Sequence, residues 1–197
     1  MFRHMHLPRA GLALLAVVAA ASACGDSSLL PPADLLVLDD TVTLWAVTGT
    51  AITLPSAFDI LLNSVARTDR TGGFDFVFGF VPDTLTGDSV PGLPALLPRG
   101  WMGLSADGGL LRVATKFDSL AAAPGSGYDS YAPVYLDTGT VVVARSRTQT
   151  CNFGLTSGQF AKVQPVAIDI AARKIVLHVV NDPNCGYRGL QPGLPGI

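Results

Sequence analysis

Three strand-like segments in the C-terminal half constrain the fold of this chain more than any other feature. Residues 140–147, 160–168 and 175–180 are rich in β-branched residues and are bounded by turn residues, a pattern typical of strands. Their connections are short, and a parallel pair needs a long crossover that usually contains a helix. The three segments therefore predict an antiparallel meander.

Two cysteines flank this meander. Cys151 follows the first strand and Cys185 follows the third, so the up-down-up path brings both to one end of the sheet. In an exported protein this arrangement favours a disulfide, whose loop of about 35 residues contributes roughly 4 kcal/mol on the chain-entropy model. Two free buried thiols are the alternative. A two-cysteine metal site is disfavoured because no histidine lies nearby.

The rest of the chain also favours strands over helices. All 15 acidic residues are Asp, and the chain contains 21 Gly and 14 Pro. These residues favour turns and caps, whereas Glu normally fills exposed helix faces. Further strand-like segments span residues 35–38, 42–47, 58–62, 74–81, 101–104, 110–115 and 134–136. We therefore predict a single all-β domain, an antiparallel sandwich or barrel-like fold that ends in the meander.

Three other segments carry local predictions. Asp107-Gly108 predicts a tight hairpin between residues 101–104 and 110–115, because Gly tolerates the positive φ of such turns. Residues 117–123 favour a short helix. Residues 82–100 contain four prolines and predict a long loop, either an ordered coil over one end of a sheet or a lid.

The N-terminus has the pattern of an export signal. Arg3 and Arg9 give residues 1–23 a positive start, and an uncharged apolar stretch follows that ends in small residues, as in secretory signal peptides. Only 14 residues separate Arg9 from Cys24, too few for a membrane-spanning helix of about 20 residues. We therefore expect the chain to be exported.

Cys24 directly follows the expected cleavage position. Ala21-Ser22-Ala23 resembles a bacterial lipobox, in which small residues precede a lipidated cysteine, and it also fits the A-x-A pattern of ordinary signal peptidase. The polar residues after the cysteine favour lipidation, which gives stable membrane attachment when two or more acyl chains are present. The expectation is a lipid-anchored protein of the bacterial cell envelope, with a tether at 24–33, the all-β domain at 34–185 and an irregular tail rich in Pro and Gly at 186–197.

Charge argues against one large class of partners. The chain has 13 Lys and Arg, of which Arg3 and Arg9 lie in the signal-like segment, so 11 remain against 15 acids and the expected mature chain has a net charge of −4. A nucleic-acid-binding protein needs a basic face for phosphate. No nucleic-acid partner is therefore expected.

The sequence lacks the common catalytic constellations. Beyond residue 23, His178 is the single histidine, and the chain has no Glu. The nucleophile-elbow, H-E-x-x-H and P-loop patterns are absent. We expect a non-enzymatic protein without cofactor or metal, in which His178 is a core or edge residue. Arg145 and Arg147 share one face of a predicted strand, which is either a solvated face or an anion site.

A row of phenylalanines is the most distinctive local motif. Alternation in residues 74–81 places Phe74, Phe76, Phe78 and Phe80 on one face of a strand. A core stripe is the first interpretation, because four phenyl rings bury a large apolar area. The alternative is a ligand-facing wall for a flat hydrophobic molecule.

Two parts of the sequence resemble the HmuY-like haem-binding lipoproteins: the block Phe74-Asp75-Phe76-Val77-Phe78 and the closing segment at 139–180, in which a hairpin begins with Phe160-Ala161-Lys162. The resemblance implies an all-β lipoprotein. It also implies, as an alternative function, a carrier of a small hydrophobic ligand such as a porphyrin. That family holds haem with paired His or Met ligands, whereas the mature chain offers only His178 and Met102, so no haem ligands are carried over.

The sequence thus predicts an exported, lipid-anchored, non-catalytic protein with a binding or structural role. Its expected partners are a membrane, through the anchor, and an envelope protein or a small hydrophobic ligand. An enclosed cavity lined by the phenylalanines would favour the carrier alternative, whereas a filled core would favour the first interpretation.

Overall fold

The computed structural model describes residues 30, 32–82, 92–151 and 154–195. The strands within these ranges are β1 (Leu38–Trp45), β2 (Ala57–Asp59), β3 (Ser64–Ala66), β4 (Phe76–Val81), β5 (Leu93–Pro98), β6 (Gly109–Val113), β7 (Val134–Tyr135), β8 (Val141–Arg145), β9 (Gln149–Thr150), β10 (Thr156–Ser157), β11 (Phe160–Asp169) and β12 (Lys174–Asp182). Two 3₁₀ helices span Arg99–Met102 and Phe117–Ser119. The expected signal peptide, Cys24 and most of the tether lie outside the described residues.

Most of the strands form two antiparallel sheets. Sheet I has the order β1-β12-β11-β8-β6, and sheet II has the order β3-β2-β4-β5-β7. A separate two-stranded ribbon consists of β9 and β10. The predicted all-β antiparallel sandwich is confirmed.

The predicted meander forms the centre of sheet I. β8 pairs with β11, and β11 pairs with β12, both in antiparallel orientation. β1 then pairs with the far side of β12, from Leu38–Asn181 to Trp45–Lys174. The first strand of the domain therefore lies beside the last.

Sheets I and II pack face to face across an inner core of apolar side chains. Sheet II contributes aromatic and large aliphatic residues, and sheet I contributes aliphatic ones. Fully buried members are Phe58, Phe76, Phe78, Leu96, Val142, Val163, Ile175, Leu177 and Val179. Complete burial of one such side chain stabilises the fold by roughly 1.5–3 kcal/mol relative to exposure.

Each sheet also buries part of its outer face. On sheet I, Val143 and Val180 pack against Phe117 and Leu190 from the covering loops. On sheet II, a corresponding outer cluster consists of Ala57, Phe74, Val77, Val81, Ala95 and Leu97. Burial on both faces explains why strands such as β8 are continuous apolar runs without alternation.

A strand not predicted from the sequence lies within residues 82–100. β5 occupies Leu93–Pro98, between β4 and β7. The prediction of a loop or lid is therefore wrong for the second half of this range, and residues 83–91 lie outside the described part of the chain.

The prolines of β5 explain why the strand was not predicted, and the side to which their nitrogens point explains why it still forms. Proline lacks an N–H donor and is disfavoured in a central strand. The Pro94 carbonyl accepts a hydrogen bond from Leu136 N–H, just beyond β7. Because a strand residue directs its nitrogen and oxygen to the same side, Pro94 and Pro98 both face β7 rather than β4. β7 has two residues, so few ladder hydrogen bonds are lost.

The hairpin predicted at Asp107-Gly108 is wrong. Residues 101–104 are not a strand, because a 3₁₀ helix occupies Arg99–Met102. β6 pairs with β8 instead. Gly108 is still needed at this turn: its φ is +135°, and a Cβ there would lie 2.8 Å from the Arg145 carbonyl oxygen.

The helix predicted for residues 117–123 forms only a single 3₁₀ turn at Phe117–Ser119. Beyond this turn the chain extends, and Ala122 pairs with Gly189 in an isolated antiparallel bridge. The segment pairs with the C-terminal tail rather than continuing as a helix.

The described part of the C-terminal tail is irregular in backbone but is packed onto sheet I. Gly193 pairs with Val37, and Leu190 is fully buried. The absence of a side chain at Gly189 lets Pro195 pack closely against the backbone, since a Cβ at residue 189 would lie 2.5 Å from the Pro195 Cβ. The tail therefore belongs to the same folded unit as the sandwich.

Candidate functional site

The phenylalanine row lies mainly in the inner core. Phe76 and Phe78 are fully buried, and Phe80 packs at the edge of the same cluster. The rings contact one another and their neighbours: Phe76 stacks on Phe58 with centroids 5.6 Å apart, and Phe78 meets Phe80 edge-on at 5.4 Å. Side chains of the protein thus occupy these ring faces, as a core stripe requires.

Phe74 does not share this face, so the predicted alternation is wrong at its first member. β4 begins only at Phe76, after a bend at Asp75. Phe74 is buried in the outer cluster of sheet II with Val77 and Leu97. The bend turns the Asp75 carboxylate toward backbone and side-chain donors. Phe74, which precedes the bend, therefore does not continue the alternation of β4.

The strongest concentration of buried charge is a cluster of Asp59, Asp75 and Arg147, which we call the Asp–Arg–Asp cluster. The Arg147 guanidinium donates to both Asp59 oxygens, at 3.0 Å each, and to Asp75 Oδ2 at 3.2 Å. The side chains of Asp59 and Asp75 are 3% and 1% exposed, and that of Arg147 is 20% exposed. Two nearly inaccessible carboxylates therefore share one guanidinium.

The backbone also holds the Asp–Arg–Asp cluster. Asp75 accepts hydrogen bonds from the N–H groups of Ile60, at 2.8 Å, and Arg147, at 2.7 Å. Asp59 accepts one from Leu62 N–H at 3.2 Å. These carboxylates thus combine charge pairing with backbone hydrogen bonds, which is how buried charges are normally satisfied.

The electrostatics of the cluster follow from two negative charges facing one positive charge. Burial raises the pKa of Asp75, and this effect outweighs the donors that favour its ionised form. Burial disfavours the charged form of Arg147, but its hydrogen bonds to Asp59 and the charges of Asp75 and Asp59 raise its pKa overall. The guanidinium therefore stays charged, and the pKa of the Asp75 carboxyl lies above its ordinary value.

The position of the cluster indicates a structural connection between the two sheets. Asp59 belongs to β2 and Asp75 precedes β4, both in sheet II, whereas Arg147 follows β8 of sheet I. Nearby, Arg99 donates to the carbonyls of Gly72 and Phe74 and so holds the chain that leads into Asp75. Each carboxylate accepts three hydrogen bonds from donors of the protein itself and is almost inaccessible to solvent.

The structure separates Arg145 from Arg147, which were predicted to share a strand face. Arg147 lies beyond the end of β8 and turns into the cluster, whereas the Arg145 guanidinium lies over the Tyr128 ring, 5.1 Å from its centroid. Neither interpretation of a shared face, solvated or anion-binding, holds for the pair.

His178 lies half-buried on the outer face of sheet I. Its Nε2 is 2.6 Å from Asp39 Oδ1, and its ring lies against the Phe117 ring at 4.5 Å. Met102 packs against the outer cluster of sheet II. The whole inner core separates the two residues, so His178 and Met102 cannot bind one haem iron from its two sides.

Lys162 neighbours His178 on the same outer face and holds the 3₁₀ turn in place. Its ammonium donates to the carbonyls of Phe117, at 2.8 Å, and Leu120, at 3.1 Å, and lies over the Phe117 ring. Burial lowers the pKa of Lys162, against the opposing effect of nearby Asp118 and Asp39. Its hydrogen bonds fix a covering loop onto sheet I.

Cys151 and Cys185 form a disulfide with a Cα–Cα distance of 5.9 Å, which confirms the predicted pairing. The geometry matches the prediction from strand order, because both cysteines lie at the same end of the meander. The ribbon of β9 and β10 forms the turn beside the bridge, and Cys151 N–H donates to the Leu155 carbonyl. This ribbon was not predicted.

A surface depression of about 460 Å³ lies beside β6, lined by Arg112, Val113, Ala114, Gly139 and Thr140. Arg112 faces Asp137 at 3.6 Å, and both side chains are more than half exposed. The depression is open to solvent and lies apart from the phenylalanine row, so it does not form the cavity that a carrier of a flat hydrophobic ligand would need.

Two kinds of feature are absent from the described residues. They contain no group of three or more His, Cys, Asp or Glu side chains placed to hold a metal ion. In the same ranges, none of the helices is both long enough and apolar enough to cross a bilayer.

Comparison with known proteins identifies no family for this chain. The chain matches no protein-family model and no curated protein sequence. The likeness to HmuY-like lipoproteins therefore stays a resemblance in short motifs.

Proposed function

We propose that this protein is exported, is lipid-anchored at Cys24, and serves a binding or structural role in the cell envelope rather than a catalytic one. The observation that carries the proposal is the Cys151–Cys185 disulfide. Disulfides form and persist mainly in oxidising compartments outside the cytoplasm. The bridge uses two of the three cysteines, which leaves Cys24 for modification directly after a signal-like segment.

The non-catalytic part of the proposal is supported by the partners of the charged and titratable side chains described above. Asp59, Asp75 and Arg147 pair with one another, Lys162 donates to two backbone carbonyls, and His178 pairs with Asp39. Groups engaged in this way stabilise loops and connect sheets. An acid–base catalyst instead needs a titratable group within hydrogen-bond reach of a substrate proton.

The filled core favours this role over that of a carrier. Phe76 and Phe78, the best candidates for the wall of a pocket, are fully buried among side chains of both sheets. The carrier alternative, with a porphyrin or a similar molecule as ligand, then has the sequence resemblance as its support.

Membrane fractionation and intact mass test the anchor. The full 197-residue chain, expressed in a bacterium, should be found in the membrane fraction and should yield a chain that begins at Cys24 with acyl mass added. Cys24→Ser should move the protein to the soluble fraction. The matched control Cys151→Ser/Cys185→Ser should leave the acyl mass unchanged, because those cysteines lie in the folded domain. An unmodified, freely soluble wild-type chain would disprove the anchor.

A second measurement addresses the binding role. Protein extracted from membranes in mild detergent can be denatured and its co-purifying small molecules and proteins identified by mass spectrometry. A stoichiometric porphyrin or other flat hydrophobic molecule would favour the carrier over the proposed role.

A further inference from the structure

Four exposed leucines lie together at the point where the tether enters the domain. Leu35, Leu36, Leu38 and Leu194 are 49%, 61%, 39% and 59% exposed, and we call them the leucine patch. Single exposed leucines are common on soluble proteins. Four within one small region are a reason to look for a binding surface.

Backbone pairing places three of these side chains, those of Leu36, Leu38 and Leu194, on one side, and Leu35 precedes them at a bend. Val37 and Gly193 form an antiparallel bridge, in which Val37 N–H donates to the Gly193 carbonyl at 3.0 Å. Val37 turns its side chain into the outer cluster of sheet I. Alternation then places Leu36 and Leu38 on the side of this segment opposite to Val37, the side that Leu44 occupies farther along β1. The antiparallel register sets Leu194 opposite Leu36.

The patch has a rigid support. The buried Asn184 side chain accepts hydrogen bonds from Asp34 N–H and Leu35 N–H and donates to the Leu35 carbonyl at 2.7 Å. Asn184 is itself held by Asp182 Oδ1. The leucines are therefore fixed in an exposed arrangement, which is costly in water unless a partner covers them.

We propose that the leucine patch rests on the surface of the lipid bilayer that holds the anchor, and so orients the domain at the membrane; this inference depends on the proposed attachment at Cys24. The chain between Cys24 and Leu35 sets the distance. Leu35 follows Cys24 by 11 positions, and such a segment spans at most about 40 Å when fully extended and about 18 Å as a flexible coil. Because the patch lies where the described domain begins, an anchor at Cys24 would keep this surface within that distance of the bilayer.

Tethering also explains why a small patch is sufficient. An attached domain has a high effective concentration at the surface, so a contact too weak to act alone becomes populated. The charge around the patch selects the kind of surface. Asp34, Asp39 and Asp40 flank the leucines, so the patch fits a zwitterionic phospholipid surface and disfavours a strongly anionic one.

Site-specific fluorescence quenching tests this orientation. The mature chain carrying Cys24→Ser and an N-terminal histidine tag can be held on phosphatidylcholine vesicles by nickel-chelating lipid, which makes the test independent of lipidation. A fluorophore is placed at Leu36→Cys, with the native disulfide kept, and a nitroxide quencher is placed on the lipid tails. Val166→Cys is the matched control, because Val166 is 59% exposed. It lies in the second half of β11, away from the end of that strand that is level with Leu38, where Ala161 and Leu38 both pair with Asn181.

We expect quenching at residue 36 to exceed quenching at residue 166 several-fold, and Leu194→Asp to reduce it to the control value. Partial replacement of phosphatidylcholine by phosphatidylglycerol should weaken it. Equal quenching at the two positions would overturn the proposal. A dimer in the absence of vesicles that is abolished by Leu194→Asp would also overturn it, since the patch would then bind a second copy. Absence of acyl mass on the native protein would instead disprove the anchor itself.

Discussion

Removal of the Arg147 guanidinium should destabilise the domain strongly, and far more than removal of the Arg145 guanidinium. Arg147→Met keeps a long unbranched side chain and removes the charge. It leaves Asp59 and Asp75 buried without their shared partner. The matched control is Arg145→Met, two residues away, where the guanidinium lies over an aromatic ring.

The magnitude follows from the contacts. Three charge-assisted hydrogen bonds join Arg147 to the two carboxylates, and breaking a buried pair by removing one partner costs about 3–5 kcal/mol. Arg145 and Tyr128 are half-buried, and loss of their cation–π contact costs about 0.5–2 kcal/mol. Against a typical domain stability of about 5–15 kcal/mol, Arg147→Met should remove a large share of the stability and Arg145→Met a smaller one.

Urea unfolding at pH 7, monitored by tryptophan fluorescence, gives the free energy of unfolding of the wild type and of each variant. A triple variant, Asp59→Asn/Asp75→Asn/Arg147→Met, should recover much of the lost stability, because no buried charge then lacks a partner. The reasoning would be refuted if Arg147→Met and Arg145→Met destabilised the domain equally, or if the triple variant were less stable than Arg147→Met alone.

Three further predictions concern the disulfide, a buried carboxylate and haem. Cys151→Ala/Cys185→Ala should lower the unfolding free energy by about 2–5 kcal/mol, measured by denaturation after non-reducing peptide mapping has confirmed the bridge in the wild type. Burial raises the pKa of Asp182, so the native state takes up its proton before the unfolded state does. The stability of the wild type relative to Asp182→Asn should therefore increase as pH falls from 7 toward 4, and a flat or opposite trend in denaturation midpoints would contradict this. Haem titration should give no low-spin six-coordinate spectrum, since His178 and Met102 lie on opposite outer faces; such a spectrum, lost in variants of either residue, would show that this geometry is wrong.

The meander and the disulfide could be predicted because their signals are local. Each of the three segments carries its own strand pattern, and short connections leave antiparallel pairing as the simple arrangement. The position of the cysteines then follows from the direction of the strands. None of these steps requires knowledge of contacts between distant parts of the chain.

The errors arose where a tertiary contact overrides a local pattern. β5 contains Pro94 and Pro98, which indicate a loop until it is known that their nitrogens face a strand of two residues. In the sequence Phe74 follows the alternation of its neighbours, but the chain bends at Asp75, whose carboxylate accepts hydrogen bonds from donors on other segments. Propensity and periodicity alone contain no information about either partner.

The Asp–Arg–Asp cluster was missed, although one signal of it was present. Asp75 lies between two phenylalanines in a strand-like segment, where an acid needs a partner to be buried. The sequence could have raised that question. It could not supply the answer, because Asp59, Asp75 and Arg147 come from three separate segments that only the packing of two sheets brings together.

The pairing of β1 with β12 has a consequence for the kinetics of folding. Leu38 pairs with Asn181, 143 positions later in the chain, so β1 has no partner in sheet I until β12 is present. Contacts of such long range make β-proteins fold slowly, on the scale of milliseconds to seconds. A chain that crosses a membrane from its N-terminus would therefore expose β1 throughout translocation, and the disulfide loop would also close late. During that interval an exported chain would present an unpaired strand edge, the kind of surface on which aggregation starts, so its yield should depend on how quickly β12 follows β1.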